Sequence, residues 1–285
     1  MKLGVISDCF NVSTEESIKA AASLGLDGIQ IYAVKGEFCP ENLTDEKIEF
    51  YKNLLKEKNL EVSALCGDLG GHGFEIEKDN PARIEKTKKI IDLAEKFGTH
   101  VVTTHIGTIP ADENHPRYKV MLAAMKECGK YAAEHGVTLA IETGSEIAPT
   151  LDKFARAAGK GVGVNLDPAN FVMVTDQDPA EAVRIFKELI VHTHVKDGVM
   201  YIKTDPEIIY NCFAEGGIEA LNISDYFKET PVGTGKVDFK EYFKALKEVG
   251  FNGYLTIERE TGKDPAADIT LAADYVRNNF ADYLD

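Results

Sequence analysis

One regularity governs this chain: a short run of apolar and β-branched residues is followed by a helix signature, and the pair recurs eight times. The runs are KLGVIS, GIQIY, EVSALCG, HVVTTHI, TLAIET, VGVNLD, VHTHVK and YLTIERE. The helix signatures between them rest on capping chemistry. Ser13 with Glu16 forms a capping box before a helix that ends near Gly25. A second helix is expected from about Thr44 to Lys58, and Pro81 sits in the first turn of a third that runs to Phe97. Further helices are expected from near Pro116 to near His135, after Thr150, behind the Asp178, Pro179, Glu181 group, behind Asp238 with Glu241, and behind Asp264 with Pro265. Strict alternation implies parallel strands joined by right-handed crossovers. Eight units in 285 residues fit a (β/α)8 TIM barrel, a single domain spanning the chain. An open doubly wound sheet would carry a glycine-rich first turn, which SDCFNVS does not provide.

The beat has one long interruption, Gly198 to Thr230 after the seventh strand, holding the helix-like DPEIIYNCFAEGG. An insert of that length reads as a lid, as a contact in a homo-oligomer, or as a satellite helix on its own barrel.

Composition narrows the ligands. A net charge of −15 opposes binding to a phosphate backbone, so nucleic acid is not an expected partner. No stretch has the length and apolarity of a membrane span. MKLGVISD enters a strand directly, with no signal core, so a cytoplasmic location is expected. Five widely spaced cysteines make neither a disulfide framework nor a thiolate zinc site. Small molecules remain as ligands.

Side chains alternate along a strand, so parity assigns each polar residue a direction. With Leu139 and Ile141 packed on outer helices, Thr138, Ala140 and Glu142 turn inward. Asn165 and Asp167 turn inward from VGVNLD, and Thr256, Glu258 and Glu260 from YLTIERE. The same rule turns His105, His192, His194 and Lys196 inward. Ionisable groups fall at strand ends, where they gather at the C-terminal mouth that carries barrel active sites. Several carboxylates around one opening need a compensating charge.

Glu142, Asp167, His194 and Glu258, from strands five to eight, form the candidate metal set. Three carboxylates and an imidazole suit one divalent ion, Mn²⁺ foremost, with Co²⁺, Mg²⁺, Fe²⁺ or Zn²⁺ as alternatives. Each residue also has a plainer reading. Asp167 could simply cap the loop before Pro168, Lys196 could pair with Asp197 at the rim, and His192, one inward step deeper, reads as a core histidine. Joint occurrence on four successive strands favours the metal.

The segments IET at 141–143, NLDPAN at 165–170, HVKD at 194–197, PVGTGKVDF at 231–239 and GYLTIERE at 253–260 resemble the xylose isomerase-like sugar isomerase and epimerase barrels. That family includes ketose 3-epimerases, inosose dehydratases and apurinic-site endonucleases. The resemblance implies that Glu142, Asp167, His194 and Glu258 bind one divalent metal, and that Lys196, His105, Asn170 and Arg259 lie near substrate, although parity turns Arg259 outward. The endonuclease branch expects a histidine where this chain has Asn170, and further Asp and His ligands that PVGTGKVDF lacks. Nuclease activity is therefore not expected.

The implied chemistry is proton transfer beside a metal-polarised carbonyl of a ketose or keto-cyclitol, with Glu142 and Glu258 moving the proton through an enediolate. The rivals are an inosose-type dehydratase and a sugar-binding barrel without turnover. His72 and Phe74 of GGHGF could line the pocket. No phosphate cradle follows the seventh strand, although Gly233 to Gly235 offers amides to an anion, so an unphosphorylated substrate is expected.

Overall fold

The computed structural model describes residues 1–218 and 221–285. Eight strands close a parallel barrel in the order β1 (Lys2–Ile6), β10 (Tyr254–Ile257), β7 (Ile190–Val195), β6 (Val162–Leu166), β5 (Thr138–Glu142), β4 (Val101–Thr104), β3 (Glu61–Cys66) and β2 (Gly28–Tyr32). Around it run α1 (Thr14–Ser23), α2 (Asp45–Glu57), α3 (Asn80–Phe97), α4 (Pro116–Glu134), α5 (Ala148–Ala158), α7 (Pro179–Phe186), α9 (Phe239–Glu248) and α10 (Pro265–Phe280). A short α6 (Pro168–Asn170) passes into a π-helical turn over Phe171–Thr175.

The caps act as their residue types dictate. Both bonds of the Ser13–Glu16 capping box form, and Asp178, Asp238 and Asp264 each accept an amide hydrogen bond at a helix start. α5 begins at Ala148, ahead of Thr150, because Pro149 opens its first turn.

The main core lies between barrel wall and helices, where Leu139, Ile141, Val164, Leu255 and Ile257 meet Phe154, Phe186, Tyr242 and Phe243. The floor inside the barrel is a separate small cluster of Ala64, Val101 and Ala140, with Val191 packed on it. The β6–β7 register slips between Val164 and Asn165. Against β10, His194 still faces Thr256 squarely.

The interruption after β7 is more ordered than a satellite helix. Its ends form an antiparallel pair, β8 (Asp197–Met200) with β9 (Phe227–Thr230), and α8 (Pro206–Ala214) lies between them. The two strands are too short to signal themselves in sequence. Among the described residues, no helix is long and apolar enough to cross a membrane. All five cysteines are free thiols, four of them buried.

Candidate active site

The ends of β5, β6, β7 and β10 carry Glu142, Asp167, His194 and Glu258, and one ligand-type atom from each lies within 4.8 Å of the others. His194 Nδ1 is 2.7 Å from Glu258 Oε2, 3.6 Å from Glu142 Oε1 and 3.7 Å from Asp167 Oδ2. His194 Nδ1, Asp167 Oδ2 and Glu258 Oε2 are buried and find no hydrogen-bond partner among the described residues, although His194 Nδ1 and Glu258 Oε2 stand at ion-pair distance. Orphaned buried polar atoms are costly and native proteins avoid them. Three of them aimed at one point fit an N/O-liganded divalent cation.

The other atoms of these side chains are held from behind. Asp167 Oδ1 accepts from the Ala169 and Asn170 amides at 2.7 and 3.2 Å, so Asp167 caps α6 with one oxygen and offers the second to the cluster. Both readings of that residue hold together. Asn165 Nδ2 donates to Glu142 Oε2 at 3.1 Å, and Lys196 Nζ lies 3.2 Å from Glu258 Oε1. His194 Nε2 lies 3.2 Å from Gln30 Oε1; if it donates there, the Nδ1 lone pair faces the carboxylates.

Electrostatics follow the same crowding. Burial pushes the Glu142 carboxyl up to about 7, against the pull of His105 and His194. Burial also resists charge on Asp167, but Lys196 and His194 overcome it and hold its pKa at about 2. For His194, burial opposes protonation while Glu258 and Glu142 outweigh it, so its pKa is well above the ordinary value. In the metal-free protein a proton thus stands where a cation would.

Glu142, His194 and Glu258 form part of the wall of a pocket of about 910 Å³ that also receives His105, Asn170, Lys196 and His72, with Asp167 buried behind it. His105 bridges Asp68 Oδ2, at 3.2 Å from Nδ1, and Glu142 Oε1, at 3.9 Å from Nε2. Burial works against its charge, but Glu142 and Asp68 raise its pKa to about 10. Asn170 Nδ2 donates to the Thr143 carbonyl at 3.1 Å. Lys196 pairs with Glu260 Oε2 at 2.7 Å rather than with Asp197.

Two expectations need correction. Arg259 does not line the pocket: it turns outward as parity requires, donating to Glu229 Oε1 and Asp268 Oδ2, each at 2.7 Å. The Gly233 to Gly235 amides are not free for an anion, because the Asp197 carboxylate accepts from Gly233 at 3.0 Å and Gly235 at 2.8 Å.

Sequence reasoning also missed part of the wall. Gln30, the lone polar residue of GIQIY, was the available signal for the β2 side. Tyr210 was not missed, since it belongs to the insert that the sequence reads as a lid: it arrives from α8, and its hydroxyl lies so close to Gly144 that a Cβ there would collide with it. The insert is fastened across the mouth by His72 Nε2 to Glu215 Oε1 and Arg117 to Glu207, each at 2.7 Å.

The sequence is 25% identical over 281 residues to the L-ribulose-5-phosphate 3-epimerase UlaE of Shigella flexneri, covering 93% of this chain and 89% of that protein. In fold it is similar to a xylose isomerase domain protein from Planctomyces limnophilus, with a TM-score of 0.79 and 23% identity over 99% of this chain and 98% of the other. It is also similar to the probable 3-DHS dehydratase AsbF of Bacillus anthracis, with a TM-score of 0.76 and 18% identity over 98% of this chain and 100% of the other. The pattern of the xylose isomerase-like TIM barrel matches residues 18–279, and the chain belongs to that family of sugar isomerases and epimerases.

Proposed function

We propose that the protein is a divalent-metal-dependent epimerase or isomerase that moves a proton beside the carbonyl of a ketose or keto-cyclitol. The observation that carries this reading is the convergence of four buried donor atoms, three without any hydrogen-bond partner. Its named relative acts on a ketose phosphate, which supports a ketose as the substrate class. A cation held by Glu142, Asp167, His194 and Glu258, Mn²⁺ foremost, supplies Lewis-acid polarisation of the substrate carbonyl.

The protein's own residues do the rest. Glu142 and Glu258 stand on β5 and β10, with β6 and β7 between them around the rim, so they reach the substrate carbon from different sides. One removes the proton and the other returns one, giving epimerisation; a single positioned carboxylate gives aldose–ketose isomerisation. Lys196 fixes Glu258 through Oε1. Asn170 and His72 orient substrate hydroxyls. Dehydration is the second reading, favoured by His105, a protonated acid beside Glu142 that could protonate a departing hydroxyl.

The test is proton NMR of ketoses, ketose phosphates and inososes incubated in deuterated water with protein loaded with Mn²⁺ and then quenched with chelator. Deuterium beside the carbonyl, absent with Glu142→Gln, supports the reading, and its position separates epimerase from isomerase. A conjugated dione would indicate the dehydratase. No exchange with any compound, despite one bound metal per chain, would leave a binding barrel.

A further inference from the structure

Beside the main pocket lies a second cavity of about 600 Å³ whose charge runs against that of the chain. Lys35, Lys78, Arg83 and Lys86 line it, and it shares Tyr32, Asp68 and Gly70 with the main pocket. Arg83 and Lys86 stand one turn apart on the same face of α3. None of the four cations has a carboxylate at ion-pair distance among the described residues, in a protein whose net charge is −15.

Arg83 is the most telling of them. Of the six arginines, Arg117, Arg156, Arg184 and Arg259 hold carboxylates, and Arg277 holds the Gly25 carbonyl. Among the described residues Arg83 holds neither, although it is half-buried. Its guanidinium lies against Gly71, where a Cβ would come within 3.1 Å of it, and Gly71 lines the main pocket. A half-buried guanidinium with no acceptor presents a fork of N–H donors that matches a tetrahedral oxyanion.

The carboxylates of this cavity do not neutralise it. Two carboxylates, Asp68 and the exposed Asp79, stand among four cations, and Asp68 is shared with the Gly70 amide and the His105 ring, so positive charge remains in excess. A phosphomonoester carries close to two negative charges at neutral pH and three acceptor oxygens.

We infer that this cavity binds the phosphate of a phosphomonoester substrate, with Arg83 as its principal contact and Lys35, Lys78 and Lys86 around it. Its carbonyl end reaches the Glu142–Glu258 cluster past His105, which touches both the Asp68 wall and Glu142. The assignment rests on the proposed reaction for the carbonyl end alone. It replaces the expectation of an unphosphorylated substrate, which rested on the lack of a phosphate cradle after the seventh strand; the cations come instead from the segments after β2 and β3.

Two measurements test it. Chelated, metal-free protein is titrated with inorganic phosphate by calorimetry, so that no metal can hold the anion. One phosphate per chain is expected, weakened roughly 10- to 100-fold by Arg83→Gln and less by the exposed Lys86→Gln. In the metal-loaded enzyme, Arg83→Gln should raise KM for a ketose 5-phosphate by a similar factor while leaving kcat and the KM for the free ketose near wild type. Phosphate binding that Arg83→Gln and Lys86→Gln leave unchanged, or no binding, overturns the inference. Binding that both variants weaken, with the KM for the ketose phosphate unmoved, marks a free-phosphate site and overturns the substrate assignment. Loss of phosphate affinity in Arg83→Gln with no proton exchange on any sugar would break the epimerase reading and leave the anion site standing.

Discussion

His192 and His194 project from the same strand into the same barrel, and each is 1% exposed. Their rings are 5.8 Å apart and nearly perpendicular. Yet burial pulls the His192 pKa well down, helped by the neighbouring His194, while the carboxylates around His194 drive its pKa well up against the same burial. The difference lies in the company each keeps. His192 Nε2 sits 2.8 Å from Gln30 Oε1 and 3.0 Å from Thr256 Oγ1, neutral groups that complete it. His194 Nδ1 faces three carboxylates and has no hydrogen-bond partner. The lower layer of the barrel is closed by neutral partners, and the upper one gathers ligand-type atoms that could hold a cation.

Substitutions should split along that line. The largest effect is expected from Glu258→Gln, which keeps the acceptor for Lys196 but removes the proton carrier: solvent exchange of substrate should fall by about a thousandfold at nearly unchanged stability. Single-turnover deuterium incorporation measures it, and a loss under tenfold would remove Glu258 from the chemistry.

Next is the pH dependence of the metal-free fold. Glu142 is raised from 4.5 to about 7, so between those values the folded chain holds a proton that the unfolded chain has released. Its contribution is complete below about 4.5 and is lost as pH rises through 7, on the order of 3 kcal/mol in all. Urea titrations of chelated protein across this window should show that decline, with Glu142→Gln flattening it and saturating Mn²⁺ reversing it.

His194→Gln should weaken Mn²⁺ binding by at least about a hundredfold, read from metal content after dialysis against graded chelator. The smallest effect is expected from His192→Phe, which takes a partner from Thr256 and leaves Gln30 Oε1 to His194 alone, and should cost about 1–3 kcal/mol of stability with Mn²⁺ affinity within a few fold of wild type. Equal metal loss in both histidine variants would erase the distinction between the layers.

The upper layer was legible in the sequence because a barrel strand leaves its side chains only two directions. Once Leu139, Val164, Leu255 and their neighbours are assigned to the helix-facing core, Glu142, Asp167, His194 and Glu258 can point only inward, and the structure brings them together. Arg259 shows the strength of that rule: parity turned it outward, and it stands outward on Glu229 and Asp268. What was not legible depends on contacts between distant segments. The β8–β9 pair joins residues that no local pattern links. The basic cavity draws on Lys35 and on α3, separated by the whole of α2 and β3.

The Asp197 carboxylate accepts amide hydrogen bonds from Gly198, Gly233, Gly235 and Val237, at 2.8 to 3.1 Å. One side chain therefore rivets both ends of a long excursion to the barrel rim, directly beyond the strand that carries His194. With the ends fixed, the entropy of closing the excursion grows only slowly with its length. Changes of length between 201 and 226 are therefore expected to leave this anchor in place, and with it Glu142, Asp167, His194 and Glu258, which lie outside the segment. The residues that the insert brings to the mouth, Tyr210 among them, can thus vary apart from the cluster beneath them.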